Sequence, residues 1–181
     1  METATIDNKT TTGTWKLDKA HAKLGFSITH MLVSEVEGSF KNFDINVNVT
    51  KEDFSDASIE LTADINSIDT QNEMRDAHMK RDDFFDHAKY PTMSFKSTAF
   101  NKAGENKYEL KGDFTLHGAT KPITLEVKAR IGKHPMNGST IAGFKVTGSI
   151  KRSDFGLAPA APGLMLSDEV EINANLEFIK S

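Results

Sequence analysis

The sequence predicts an all-β fold: an up-and-down antiparallel barrel of about eight strands carrying a short helical insert at about 71–87. Three observations predict it. Apolar residues recur at every second position in about eight separate segments, short polar connections join most of these segments, and the inward-facing sets mix bulky with small side chains. A closed barrel of about eight strands either fills with its own side chains or holds one small ligand. A two-sheet sandwich shares the same alternation, and period alone leaves it open.

Residues 1–13 are polar, rich in threonine and without period, and read as a flexible tail; the barrel domain is expected over 14–181. The first strand places Ala22, Leu24, Phe26, Ile28 and His30 on one face and Lys23, Gly25, Ser27 and Thr29 on the other. Val36, Gly38 and Phe40 alternate next. Phe43, Ile45, Val47 and Val49 follow in the opposite phase, so a bulge near Lys41 and Asn42 would keep both halves facing inward. Ile59, Leu61, Ala63 and Ile65 form a further strand, and Met93 to Phe100 another with a less regular pattern. Tyr108, Leu110, Gly112, Phe114 and Leu116 alternate cleanly, as do Ile123, Leu125, Val127, Ala129 and Ile131. Phe144, Val146, Gly148 and Ile150, then Val170, Ile172, Ala174, Leu176 and Phe178, close the series. The bulky Phe26, Phe40, Phe114, Phe144 and Phe178, set among the small Ala22, Gly38, Gly112, Gly148 and Ala174, are expected to leave a cavity between the aromatics.

Two stretches break the alternation. Thr70 followed three positions later by Glu73 is a capping-box spacing and predicts a helix over about 71–80. Asp82 or Asp83 would cap a short turn through Phe84 and Phe85, and Tyr90-Pro91 ends the insert because the residue before proline is pushed out of the helical region. Two adjacent aromatics on a short turn are expected to plug a barrel end. The second stretch, Ser153 to Ser167, holds Gly156, Pro159, Pro162 and Gly163 and reads as a long loop.

At 181 residues the chain is the size of one domain. Its 22 Lys+Arg against 26 Asp+Glu give a net charge of -4, no electrostatic reason for a nucleic-acid partner. No apolar run reaches the roughly 18 residues of a membrane helix, so the chain is not expected to span a membrane. The absence of cysteine removes disulfides, thiolate metal sites and a cysteine nucleophile. Residues from Met1 to Thr12 have neither a basic nor an apolar signal region, so a cytoplasmic location is expected, or a periplasmic one if a signal has been removed.

The six histidines show no HxH or HExxH spacing, and a metal site is not expected. Their plain reading is hydrogen-bonded structural side chains; the sharper one brings His30 and His78 together at a barrel mouth. Arg75-Asp76 on the helix and Arg152 with Asp154 at a strand end read either as a partly buried clasp or, through the guanidinium groups, as donors to a polar head group. No serine sits in a nucleophile elbow and no glycine spacing builds a phosphate loop, so neither a catalytic residue nor a required cofactor is expected.

These residues also carry a resemblance. Trp15-Lys16-Leu17-Asp18 with His21, Phe26 and His30, then Gly38-Ser39-Phe40, Ser67-Ile68-Asp69-Thr70, Arg75-Asp76, His78 and Asp83-Phe84-Phe85-Asp86 occur in order. Tyr90-Pro91, Phe95-Lys96-Ser97-Thr98, Leu116-His117-Gly118 with Thr120-Lys121-Pro122, and Ile150, Arg152, Asp154-Phe155-Gly156 complete the series. Together they resemble the YceI-like family over about Thr14 to Ile179. Ala22, where the family usually has serine, and Met79, where it usually has leucine, depart from that pattern. The resemblance implies a lipocalin-like barrel enclosing an elongated apolar tunnel for a polyisoprenoid such as an isoprenoid quinone or its precursor. It also implies a possible homodimer.

The expected cavity wall is therefore Trp15, Phe26, Ile28, Phe40, Phe95, Phe114, Leu116, Phe144 and Phe178. The expected ligand-head or mouth residues are His30, Arg75, Asp76, His78, Arg152 and Asp154. The expected role is carriage, storage or buffering of an isoprenoid lipid. The alternatives are a hydrolase or amidase acting on long-chain substrates through His30 or His78 with Asp76, or a stress-response interaction protein with a filled barrel.

Overall fold

A computed structural model describes residues 12–51 and 54–181, so residues 1–11 of the expected tail lie outside the described residues. The strands are β1 (Gly13–Leu17), β2 (Lys23–His30), β3 (Ser34–Phe40), β4 (Phe43–Val49), β5 (Ser58–Asp64), β6 (Ile68–Asp69), β7 (Thr92–Gly104), β8 (Lys107–Leu116), β9 (Ala119–Lys133), β10 (Thr140–Lys151) and β11 (Leu166–Lys180). One helix, α1 (Glu73–Met79), lies between β6 and β7.

From β7 to β11 each strand pairs antiparallel with the next. The first half of β11 then pairs with β2 and its last residues pair with β1. β1 and β2 are thus one stave, interrupted by a 3-10 turn at Lys19–His21, and β3 and β4 are a second, interrupted at Lys41 and Asn42. With β5 and β7 through β11 these make a closed antiparallel barrel of 8 staves. The β1–β11 pairing, with Leu17 opposite Phe178, closes the sheet on itself and excludes the sandwich.

The segment between Phe40 and Phe43 is a corner and not the expected bulge. β3 pairs with β2 and β6, whereas β4 pairs with β1 and β5, so the chain changes partners there. Ser67 holds the corner: its carbonyl accepts from Lys41 N–H at 3.0 Å and its hydroxyl oxygen from Asn42 N–H at 3.0 Å. Both Phe40 and Phe43 are nevertheless buried. A bulge does occur in β7, where the register shifts between Ser97 and Ala99. It carries the inward phase from Met93 and Phe95 to Phe100, which explains why this segment alternates poorly.

The expected capping box does not form. Gln71 has φ +61, a left-handed backbone that no right-handed helix continues through, so α1 starts two residues later. Asn72 caps it, its side-chain oxygen accepting from Arg75 N–H at 3.0 Å. Thr70 is instead buried and sits between the side chains of two helix residues. Its N–H and hydroxyl donate to Asp76 Oδ1, while its hydroxyl oxygen and carbonyl accept from Arg75 Nε and Nη2 at 2.8 and 2.7 Å. The short helix is tied to the barrel end through this residue and through Met79, which is buried in the core.

The inward glycines do not leave the room expected of them. A Cβ on Gly38 would lie 2.4 Å from Phe26 Cζ, one on Gly112 2.3 Å from Phe95 Cζ, and one on Gly148 2.5 Å from Leu125 Cδ2. Each seats a neighbouring side chain against the wall: Phe26, Phe95 and Leu125.

Candidate functional site

A cavity of about 800 Å³ runs the length of the barrel. Trp15, Phe26, Ile28, Phe40, Phe95, Phe114, Leu116, Phe144 and Phe178 all border it. These are inward residues of β1, β2, β3, β7, β8, β10 and β11, placed there by the period of two. The barrel is therefore not filled by its own side chains.

The cavity is differentiated along its axis. At the end remote from α1 it is bounded by the buried Phe54, Ala57 and Phe100. There Phe54 packs edge-on against Phe100 and Tyr108, at 6.4 and 6.1 Å between ring centroids, and Phe100 stacks on Tyr108 at 4.7 Å. Asp56 steadies the preceding turn, accepting from the Lys51 N–H at 3.0 Å and from the Thr50 hydroxyl, a bond that holds its pKa below the usual carboxylate range.

Among the described residues the charged and imidazole side chains on the wall gather at the opposite end. They are His30, Arg75, His78, Asp83 and Arg152. His30 ends β2 beside Leu166, its register partner at the start of β11. His78 Nε2 lies 3.2 Å from Asp83 Oδ2, and this hydrogen bond is the first cause of a lowered Asp83 pKa. Both residues are exposed, which makes this end the mouth. The Phe84 ring packs edge-on to His78 at 6.3 Å, and Phe85, buried, packs on Phe40 at 6.4 Å. The paired aromatics thus roof this end in part.

Arg152 differs from the head-group donor expected of it. It is 6% exposed, and every N–H of its guanidinium is taken by a main-chain carbonyl. Nε donates to Ser167 at 3.0 Å, Nη1 to Leu157 and Ala158 at 3.0 and 2.8 Å, and Nη2 to Ala161 and Leu166 at 3.0 and 3.3 Å. The side chain borders the cavity but has no donor left for a ligand; it folds the 156–167 loop around itself. The strand after the loop is fixed by Asp168, which accepts from the Ser153 N–H and hydroxyl at 2.9 and 2.8 Å.

Asp76 and Asp154 are not on the cavity wall. Asp76 is committed to Thr70, and Asp154 is exposed on the outer side of the 3-10 turn Arg152–Phe155. The two Arg-Asp pairs do not meet as one network: among the described residues neither Arg75 nor Arg152 pairs with a carboxylate, because both guanidinium groups bond oxygens of Thr70 or of the loop. Of the expected mouth set, His30, Arg75 and His78 face the cavity with donors or acceptors. Sequence reasoning missed Asp83 as their companion, since it was read as a possible turn cap and DFFD otherwise for its aromatics. It also missed Phe54, which lies in a connection without periodicity, and Phe100, hidden by the bulge.

No serine, threonine or cysteine borders the cavity among the described residues. Outside the barrel, at the β1–β2 interruption, side-chain atoms of Asp18, His21 and Glu177 lie within 4.8 Å of one another. Asp18 caps the Lys19–His21 turn and accepts from or shares a proton with His21 Nδ1 at 2.9 Å, which lowers the Asp18 pKa and raises that of His21.

Comparison with known proteins places this geometry. The model of the YceI-like domain matches residues 15–178. A UPF0312 protein of Staphylococcus aureus is 38% identical over 166 residues, covering 89% of this chain and 94% of the relative. Among solved structures, BcnA of Burkholderia cenocepacia superposes with a TM-score of 0.79 at 27% identity, over 89% of this chain and 98% of its own. A polyisoprenoid binding domain from Saccharophagus degradans shares the fold at a TM-score of 0.64 and 17% identity, over 92% of this chain and 98% of its own.

Proposed function

We propose, since the chain belongs to the YceI-like family, that it binds one long-chain isoprenoid lipid, such as a quinone or its precursor, with the chain in the barrel and the polar head at the His30, Arg75, His78 and Asp83 end. The observation that carries this reading is the distribution of chemistry along the cavity: among the described residues its charged and imidazole side chains lie only at the mouth, and the wall from the Phe54 end onward is lined by hydrophobic residues. A linear amphiphile with one polar end has that same distribution. The polyisoprenoid binding domain of Saccharophagus degradans, which shares the fold, is named for such a ligand.

Energetics support occupancy. Apolar walls give water too few hydrogen-bond partners and favour hydrocarbon. The role proposed is binding: carriage, storage or buffering without chemistry on the lipid.

The test is mass spectrometry of an organic extract of the natively purified protein, paired with titration of solubilised quinone. Trp15 is the chain's one tryptophan and borders the cavity, so a bound quinone should quench it. A stoichiometric isoprenoid and saturable quenching are expected. An empty extract together with unchanged Trp15 emission would overturn the reading.

A further inference from the structure

We infer that the rim of the mouth is a docking surface for the hydrocarbon edge of a lipid bilayer, formed by the tip of the β2–β3 hairpin and the adjoining end of the 156–167 loop. Among the described residues seven large hydrophobic side chains are exposed, and five belong to these two segments: Met31, Leu32 and Val33 on the hairpin, Leu164 and Met165 on the loop. The Met31 N–H donates to the Met165 carbonyl at 3.0 Å, and His30 pairs with Leu166, so the five side chains form one patch.

The hairpin tip is built against local preference. The Val33 N–H closes the turn on the His30 carbonyl at 3.2 Å, and both central residues have positive φ, +51 at Met31 and +60 at Leu32. That is the φ signature of a type I′ turn, where Asn-Gly is the favoured pair. Here the left-handed positions hold methionine and leucine, with Leu32 at 64% and Val33 at 86% exposure. Neither backbone comfort nor packing within the chain accounts for them.

The occupant follows from size, charge and continuity. Five side chains on two loop tips fall well short of the roughly 20 residues a side of a stable protein interface, but they suit insertion of an apolar tip into an interface. The patch holds no cation and the chain is net acidic, so anionic head groups are not what it recognises. Met165 also borders the cavity, as do His30 and Leu166, so the exposed patch runs into the lumen wall. A lipid chain crossing from bilayer to barrel there meets the apolar side chains of Met165 and Leu166 beside His30. This inference rests on the lipid-binding reading.

The test is flotation of the full chain with neutral phosphatidylcholine vesicles. Wild type should float, with no loss on raising salt. Met31→Asn/Leu32→Gly, which places the favoured turn residues at the tip, replaces no residue of the cavity wall and keeps the main-chain bond to Met165, should keep the fold and the wild-type quenching of Trp15 by detergent-solubilised quinone. Its floated fraction should fall by about tenfold or more, because apolar insertion scales with buried apolar area. A wild type that stays unfloated, or a variant that floats equally, overturns the inference. So does a wild-type dimer that the variant turns into a monomer, since a second copy then covers the patch. Loss of floating in the variant, with neither protein quenched by solubilised quinone, upholds the docking surface and refutes the ligand reading instead.

Discussion

The ring of Phe26 occupies the space above Gly38, its register partner across the β2–β3 ladder, so closely that a Cβ there would stand 2.4 Å from Phe26 Cζ. Glycine in a strand interior costs backbone entropy and packs nothing, and the aromatic neighbour covers it. Gly38→Ala should force Phe26 off the wall into the lumen. The expected cost is about 1–3 kcal/mol in urea unfolding, with weaker uptake of solubilised quinone. Phe26→Leu in the same chain should restore part of both; a Gly38→Ala protein with unchanged stability and uptake would contradict the packing described.

Arg152 supplies five hydrogen bonds to the loop that flanks the mouth. Arg152→Met should cost roughly 3 kcal/mol, since it leaves main-chain carbonyls without donors, and should open the 156–165 segment to limited proteolysis. Arg152→Lys should not rescue it, because an ammonium lacks the planar fork. If instead the residue bound a ligand head, either change would alter head-group preference while the loop stayed protease-resistant.

Phe54 and Phe100 bound the cavity at the far end, and Tyr108 packs behind them. Phe100→Ala should lengthen the lumen at a stability cost of about 3–5 kcal/mol and move binding preference toward longer isoprenoids. Competition between short- and long-chain homologues reads this directly. An unchanged chain-length ranking would show that ligands do not reach this end.

The Ser153 hydroxyl and N–H bonds hold the Asp168 pKa below the usual carboxylate range. Because the folded-state value is the lower one, the stabilisation is complete above the unfolded value of about 3.9 and is lost as pH falls through the folded value. Wild type and Asp168→Asn should therefore differ in urea midpoint near neutral pH and converge in acid. A constant difference across that range would assign the effect to something other than the charge.

Much of the wall was legible in advance, because every residue that alternates with Phe114 or Phe144 along a strand shares its face whatever the neighbouring strands are. The breaks in period were legible only as breaks. The phase change at Lys41 and Asn42 does not distinguish a bulge from a corner, since both restore the inward face, and the choice depends on β1 and β5 pairing with β4. The bulge that brings Phe100 inward is visible only against the register of β8.

The sequence by itself determined the strands, their inward faces, the family and the apolar character of the lumen, because alternation and motif order are properties of one segment at a time. Closure of the sheet and the employment of each polar side chain were decided only by the tertiary structure. Arg75 and Arg152 look alike in sequence, each beside or near an aspartate, yet one clasps Thr70 at the mouth and the other is saturated by the loop. A guanidinium bonds whichever oxygens the fold brings within about 3 Å, and those come from segments that only the closed barrel brings together.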